Sequence, residues 1–226
     1  MKKEGQVKLF LGKVKTHEGI TSAIFKNEIS ETVYLSELGL NGDECADKRH
    51  HGGLDRALHY YPKEHYSFWR EFYNDESIAW EAPGMGENIS SEGFTEENVY
   101  LGDRFQLGET IIEVSQPRSP CVTLNKKWGV ENLSYFMQTS SRCGWLFRVI
   151  QTGNITPEAE FKLIERAENS LTVKEVCDIF FGDPLNRKGL NSLMELESLS
   201  DGWKSTVKKR LETNVLENWS RRLFGG

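Results

Sequence analysis

The residues best suited to chemistry lie in a short segment, residues 115–121, which reads SQPRSPC and follows an apolar run. Each proline locks its own φ and restricts the residue before it, so the turn holds the side chain of Cys121 in a fixed place. Ser119 and Pro120 form an N-cap and first-turn pair, which predicts that Cys121 lies in the first turn of a short helix. Free N–H groups at that helix start and the nearby Arg118 favour a thiolate, the form of cysteine that binds metals. The alternative for a lone cysteine is a small buried hydrophobe.

A second candidate segment, residues 41–61, is rich in histidine, aspartate and cationic side chains and contains His-His-Gly-Gly at residues 50–53. Glycine N–H groups and cations in one loop offer hydrogen bonds and positive charge to an anion, and phosphate is the ligand that they suit best. The commoner alternative for such a loop is a solvated connection without a ligand. A zinc site built from His50, His51 and His59 is a further alternative, although adjacent residues on a strand point to opposite faces.

A third candidate is the turn at residues 84–89, which reads GMGENI. Its glycines let the backbone approach a ligand closely, and the Asn88 amide can both donate and accept hydrogen bonds. The alternative is a plain turn before a strand.

Short strands must position these residues. Between about residue 7 and residue 166 the chain shows many runs rich in β-branched and aromatic residues, separated by turns. So many short, non-repeating strands predict a closed or nearly closed barrel. Pro62 opens a helix, and a second helix is predicted at residues 130–139. The predicted strands are residues 7–14, 21–25, 32–35, 57–61, 99–101, 104–107, 110–115, 144–150 and 160–165.

Beyond about residue 167 the periodicity becomes helical. Thr172 and Glu175 form a capping-box pattern, and Ser200 is a further helix start. The fold class is therefore mainly β (α+β), with a barrel domain at residues 1–167 and a small three-helix module at residues 168–226. The predicted helices of this module are residues 172–181, 190–196, a helix from Ser200 and a final amphipathic turn at 215–223.

The composition narrows the class of partner. The 226 residues carry a net charge of −6, which argues against a nucleic-acid polymer or a membrane surface, since either normally meets a basic face. No stretch approaches the roughly 20 apolar residues that span a bilayer, and a signal-peptide core is not seen. The cysteines form no C-x-x-C pair, so we expect a reducing cytoplasm. Cys143 and Cys177 lie in apolar runs and are expected to be structural, whereas Cys45 stays undecided.

In their order along the chain, these motifs resemble the MOSC domain family, named for the C-terminal domain of molybdenum cofactor sulfurases. The resemblance covers roughly residues 5–165. Residues 171–173 and 199–203 resemble the three-helix module of the stand-alone bacterial branch of this family, the YiiM type. The motifs that carry the barrel resemblance are Asp47, residues 50–59, 86–89, 102–103 and 116–121.

The resemblance implies a β-barrel that holds a molybdenum cofactor of the molybdopterin type, with Cys121 as the catalytic residue and the sulfur ligand to the metal. Arg56 and Arg118 are expected to bind the phosphate of the pterin. The family is also associated, as a whole, with pyridoxal phosphate. The other expected cofactor-binding residues, on the pterin or the substrate side, are Asp47, His51, Asp55, His59 and Asn88.

The implied reaction is the reductive dehydroxylation of N-hydroxylated compounds, such as hydroxylaminopurine-type base analogues and amidoximes, which would detoxify N-hydroxylated bases. Electrons are expected from a separate reductase, a flavin or iron–sulfur protein, because the clustered cysteines of a plant-type ferredoxin are absent from the sequence. The C-terminal helices would serve as its docking surface, or as a packing or homodimer surface. Two alternatives stay open: sulfur transfer through a persulfide on Cys121, and a carrier that hands on the cofactor without catalysis.

Overall fold

The computed structural model describes residues 7–17, 19–46 and 52–225. Its strands are short, and each predicted run except one contains or overlaps a strand. The strands are β1 (Lys8–Leu11), β2 (Lys15–His17), β3 (Ile20–Ser22), β4 (Asn27–Glu28), β5 (Val33–Ser36), β6 (Gly39–Leu40), β7 (Leu58–Tyr60), β8 (Ile89–Ser90), β9 (Arg104–Leu107), β10 (Thr110–Pro117), β11 (Trp145–Gln151), β12 (Gly153–Ile155) and β13 (Phe161–Glu165).

The main sheet has eight strands in the order β13-β9-β10-β11-β7-β8-β1-β4. Its pairs are antiparallel except for the parallel pair of β7 and β8, so the sheet is mixed. It curls into a half-barrel, which confirms the predicted barrel-like α+β fold. A smaller sheet, β12-β5-β6, and the hairpin of β2 and β3 complete the strands of the described ranges.

The two longest strands, β10 and β11, form the centre of the sheet and lead to the proline loop. Their β-branched and aromatic residues favour the extended chain, and seven of the eight residues of β10 are buried. The turn into β10 needs Gly108, which has φ +59° and would bring a Cβ within 2.9 Å of the Asn154 carbonyl oxygen. The direction of β10 therefore fixes where the loop after Pro117 begins.

The strand predicted at residues 99–101 is wrong. Val99 and Leu101 are buried, but the segment forms only an isolated bridge between Tyr100 and Thr172. The Asp103 carboxylate accepts a hydrogen bond from the Tyr100 N–H at 3.0 Å, which closes a turn in place of a ladder. The apolar pattern here reports burial and not strand pairing.

The helices agree closely with the predicted positions. The capping box of Thr172 and Glu175 is present, and Ser200 accepts a hydrogen bond from the Trp203 N–H as an N-cap. A 3₁₀ turn at Leu54–Arg56 and a π turn at Asp178–Gly182 accompany the α-helices. The α-helices are α1 (Glu64–Tyr73), α2 (Thr123–Trp128), α3 (Leu133–Thr139), α4 (Val173–Cys177), α5 (Arg187–Glu195), α6 (Asp201–Thr213) and α7 (Ser220–Phe224).

Two aromatic clusters hold these elements together. Inside the curl of the sheet, Tyr60 stacks on Trp145 with ring centroids 4.3 Å apart, and Phe105 stacks on Phe161 at 4.5 Å. The same apolar core continues into the C-terminal helices, where α4, α5 and α6 bury their inner faces. A second cluster, around Trp69, packs α1, α2 and α3 together. No helix within the described ranges is both long and apolar enough to cross a bilayer.

Candidate functional site

The proline loop follows β10 and presents Cys121 partly exposed. The Arg118 N–H donates to the Gly144 carbonyl at 3.0 Å, which keeps the start of the loop on the edge of β11. The predicted helix start is wrong: α2 begins at Thr123, and neither Ser119 nor another side chain caps it. Cys121 therefore lies before the helix, so the thiolate argument from its first turn does not apply.

The late helix start is visible in the backbone on both sides of Cys121. The Pro120 carbonyl accepts a hydrogen bond from Arg222, and the Val122 N–H donates to the Arg222 carbonyl. The Leu124 N–H donates to the Cys121 carbonyl, so the α-helical ladder does not extend back to Pro120.

Next to this loop, the cations Lys26 and Arg118 act electrostatically on His59 and on a third cation, Lys127. Burial lowers the pKa of Lys127 to about 8, helped by the positive charges of Arg118 and Lys26 and opposed by Glu87. The Lys127 ammonium donates to the Ile24 and Pro83 carbonyls at 3.2 and 3.1 Å. A cleft of about 240 Å³ opens beside Lys26 and Lys127. These three cations and the neighbouring His59 are together called the anion site below.

The guanidinium group of Arg118 has spare hydrogen-bonding capacity. Its Nη1 is buried and has no hydrogen-bond partner among the described residues. A buried, charged donor without an acceptor is costly, and an anionic ligand would satisfy it. Arg118 is thus the predicted site residue whose geometry most directly fits an anion.

His59 is buried at the centre of the anion site with 7% of its surface exposed. Burial and the charge of Arg118 hold the pKa of His59 well below its usual value, so the ring is neutral near neutral pH. Its Nε2 has no hydrogen-bond partner within the described part of the chain. As part of a neutral imidazole, Nε2 can offer a ligand a hydrogen-bond donor or an acceptor, depending on the tautomer.

Asn88 lies beneath the anion site, and its amide already serves the protein. Its Nδ2 donates to the Phe10 carbonyl at 3.1 Å and to Asp43 at 2.8 Å, while Oδ1 accepts from the His59 N–H at 3.1 Å. Asn88 therefore fixes the backbone that carries His59 and ties it to Asp43.

Asp55 and Arg56 belong to the 3₁₀ turn beside β11 and have other neighbours. Asp55 Oδ1 accepts a hydrogen bond from Arg148 Nε at 2.8 Å. Arg56 reaches the start of α6, where its Nη2 lies 3.7 Å from the position of a Cβ on Gly202. Their expected roles toward a cofactor stay predictions. Asp47 and His51 lie outside the described residues, so their expected roles also stay predictions.

Sequence reasoning missed Lys26, Asp43, Glu87 and Lys127 as contributors to this site. Glu87 stands within the GMGENI motif and is fully buried, where burial raises its pKa and the Tyr66 hydroxyl donates to its Oε1. Lys127 lies on α2, shortly after Cys121 in the chain, so the sequence alone indicated that the two residues are close. Asp43 stands within the candidate segment 41–61 but was not singled out there, and Lys26 carries no local signal, because the tertiary fold alone brings it to Asp43.

The arrangement can hold a ligand that joins an anionic group to a soft metal centre. Cys121 offers one sulfur, and the anion site offers the buried charge. Within the described ranges, no group of three or more His, Cys, Asp and Glu side chains could hold a metal ion by itself. Cys121 and the anion site together suit a ligand that carries both a metal and an anionic group.

Comparison with known proteins identifies two domains in the chain. Residues 47–162 match the MOSC domain, and residues 171–214 match the YiiM-like, 3-alpha helix domain. The chain is 40% identical to Protein YiiM of Escherichia coli over 220 residues, which is 97% of this chain and 98% of that protein. A protein of Gibberella moniliformis named Reductase is 34% identical over 197 residues, covering 86% of this chain and 34% of the fungal one.

Solved structures give the same relationship. The crystal structure of YiiM from Escherichia coli superposes with a TM-score of 0.84 at 35% identity, covering 98% of both chains. YiiM from Geobacillus stearothermophilus superposes with a TM-score of 0.74 at 30% identity, covering 90% of this chain and 97% of that one. MOSC domains are associated, as a family, with the molybdenum cofactor. The chain belongs to the MOSC domain family and carries the YiiM-like 3-alpha helix domain.

Proposed function

We propose that this protein is a molybdenum-cofactor-dependent reductase of N-hydroxylated compounds. The observation that supports it best is a partly exposed Cys121 beside buried cations, one of which, Arg118, has an unpartnered N–H. A thiolate is a good ligand for a soft metal, and a buried cluster of cations suits a phosphate. The two features match the two ends of a metal-bearing, phosphorylated cofactor.

The residues of the site take different roles in this proposal. Cys121 holds the metal, while Arg118, Lys127 and Lys26 bind the phosphate of the cofactor. His59 hydrogen-bonds the pterin or the substrate as a neutral ring. Further ligand contacts are proposed for Asp47, His51, Asp55, Arg56 and Asn88.

The proposed reaction removes the hydroxyl group from nitrogen. An N–OH compound takes up two electrons and two protons, the N–O bond breaks, and the amine or amidine leaves with one water. The bound cofactor supplies the two-electron chemistry. The protein holds it by Cys121 and the anion site.

Electrons are proposed to come from a separate flavin or iron–sulfur protein. Within the described ranges, no group of three or more cysteine, histidine and acidic side chains could hold a metal, and this observation supports a separate donor.

The proposal is tested on protein purified from a host that makes the cofactor. Molybdenum and pterin are quantified, and consumption of hydroxylaminopurine and benzamidoxime is measured with an artificial electron donor. Cys121→Ser should abolish reduction and leave the circular dichroism spectrum unchanged, whereas the buried Cys177→Ser should keep most of the activity. Bound molybdenum without consumption of either compound would favour a cofactor carrier. Absence of both molybdenum and pterin would overturn the assignment.

A further inference from the structure

A single residue of the last helix holds both peptide groups that flank Cys121. Arg222 Nη1 donates to the Pro120 carbonyl, and the Arg222 carbonyl accepts from the Val122 N–H at 2.7 Å. The two bonds come from the side chain and the main chain of one residue, which lies about a hundred positions further along the chain. The conformation of Cys121 is therefore fixed by the C-terminal segment.

The rest of α7 attaches to the helices that follow the proline loop. The Leu223 carbonyl accepts from Ser134 Oγ at 2.7 Å and from Asn125 Nδ2 at 3.2 Å, and the Leu223 side chain is buried. Arg222 Nη2 donates to Gln138 Oε1. This segment lies after residue 214, where the match to the 3-alpha helix domain ends.

The opposite end of the loop is attached to the same part of the chain. The Ser200 hydroxyl donates to Gln116 Oε1 at 2.7 Å, and its N–H donates to the Ser115 carbonyl at 3.0 Å. Ser115, Gln116 and Ser200 are all buried. The loop of Cys121 is thus anchored at its start by α6 and at its end by α7.

Arg222 also brings charge to the loop. Its side chain donates to the Pro120 carbonyl and to the Gln138 amide oxygen, which are both neutral, so neither cancels the guanidinium charge. Burial and the positive charge of Arg118 lower the pKa of Arg222, whereas negative charge on the nearby Cys143, Cys121 and Glu217 side chains raises it. A guanidinium group stays protonated in proteins, so the charge persists beside Cys121.

We propose that Arg222 is a positioning residue for Cys121 and that its guanidinium adds a further positive charge to the anion site. The identity of the ligand that would use this charge rests on the proposed function. The hold of Arg222 on both sides of Cys121, called the clamp below, and the positive field of its guanidinium do not. The C-terminal segment is therefore part of the site, and its role extends beyond covering apolar surface.

The test compares Arg222→Gln, which removes the charge, with Arg222→Lys, which keeps it. Arg221→Gln is the matched control, because Arg221 is the exposed neighbour on the same helix. Cofactor-free, full-length protein is alkylated at low salt with iodoacetate or with iodoacetamide, and the peptide containing Cys121 is quantified. The ratio of the two rates cancels thiolate content and access, and reports the local positive field.

Arg222→Gln should lower the iodoacetate-to-iodoacetamide ratio about fivefold, as expected for one charge removed at the edge of a protein. Arg222→Lys and Arg221→Gln should keep the ratio of the unmodified protein. Hydrogen exchange of the Val122 N–H should accelerate about tenfold in Arg222→Gln, because the charged hydrogen bond that holds the segment is lost. If Arg222 served only to pack Leu223, its replacement would not change the iodoacetate-to-iodoacetamide ratio.

Unchanged ratio and unchanged Val122 exchange in a folded Arg222→Gln protein would overturn the proposal. If that variant does not fold, Arg222→Lys decides, since a single ammonium cannot bond Pro120 and Gln138 in the same geometry. Val122 exchange equal in Arg222→Lys and Arg221→Gln would then refute the clamp. Neither readout needs cofactor or substrate, so a protein without reductase activity still gives a decisive answer.

Discussion

Lys26 and Asp43 form a buried ion pair beneath the anion site, with Lys26 Nζ 2.7 Å from Asp43 Oδ2. Only 6% of the Lys26 side chain and 16% of the Asp43 side chain are exposed. Asp43→Ala would leave the lysine charge buried without its partner and free one N–H of Asn88. We expect the free energy of unfolding in denaturant to fall by about 3–5 kcal/mol.

An exposed ion pair provides the matched control for this measurement. Lys8 and Glu28 lie 2.9 Å apart with about half of each side chain exposed. Glu28→Ala should change the free energy of unfolding by no more than about 1 kcal/mol. Equal losses for the Asp43 and Glu28 variants would show that the buried pair does not hold the site.

The lowered pKa of Lys127 predicts that anion binding depends on pH. Its pKa of about 8 means that the ammonium is present below this pH and is lost as the pH rises through it. Sulfate, which does not change its own charge in this pH range and is measured by titration calorimetry, should therefore bind with constant affinity well below pH 8 and about tenfold more weakly well above it. Binding near pH 8 should take up a proton, because a bound anion raises the pKa of Lys127.

Two lysine variants separate this effect from general loss of charge. Lys127→Arg keeps its charge at all these pH values, so the step near pH 8 should disappear. Lys126→Gln removes an exposed charge from the same helix turn and should retain the step. A step that survives in Lys127→Arg would assign the titration to another group.

The sequence predicted elements whose stability is local. The capping box at Thr172 and the N-cap at Ser200 depend on residues three positions apart, and both form as expected. The strands β9, β10 and β11 carry alternating or continuous apolar residues, and they were predicted within a few positions. Where a distant residue takes over a backbone group, prediction failed: Arg222 holds the groups around Cys121, and α2 begins later than predicted.

The residues of the site divide in the same way, into those with a local sequence signal and those that only the tertiary fold brings together. Cys121, Arg118, His59 and Asn88 stand in recognisable motifs, although what each side chain contacts could not be read from them. Lys26 joins the site because β4, which follows it, pairs with β1, and because Asp43 bonds both Lys26 and Asn88. No local sequence pattern indicates these long-range contacts. An unpartnered N–H such as Arg118 Nη1 is a property of packing alone, since it depends on every surrounding atom.

The cysteines should differ sharply in reactivity. Cys143 and Cys177 are fully buried, and burial raises the pKa of Cys177 well above its ordinary value. Cys45 and Cys121 are partly exposed. Alkylation of the native protein should therefore label Cys45 and Cys121, while Cys143 and Cys177 react only after denaturation. Mass spectrometry of the peptides checks this, and rapid native labelling of Cys177 would contradict its structural role.

Ser200 should matter more than an ordinary helix cap, because its hydroxyl serves two partners. It accepts from the Trp203 N–H and donates to the buried Gln116 Oε1. Asn186 provides the comparison, since it caps α5 from an exposed position by accepting from the Gly189 N–H at 3.1 Å. Asn186→Ala should lower the free energy of unfolding by about 1 kcal/mol, the usual value of an N-cap.

Ser200→Ala should lower that free energy by about 2–3 kcal/mol, because it removes the cap and also leaves the Gln116 oxygen buried without its donor. The excess over Asn186→Ala measures how firmly α6 holds the start of the proline loop, and chemical denaturation gives both values. Alkylation of Cys121 should become faster in Ser200→Ala and stay unchanged in Asn186→Ala, since only Ser200 connects to the loop. Equal stability losses and equal Cys121 reactivity in the two variants would mean that α6 merely packs against the sheet.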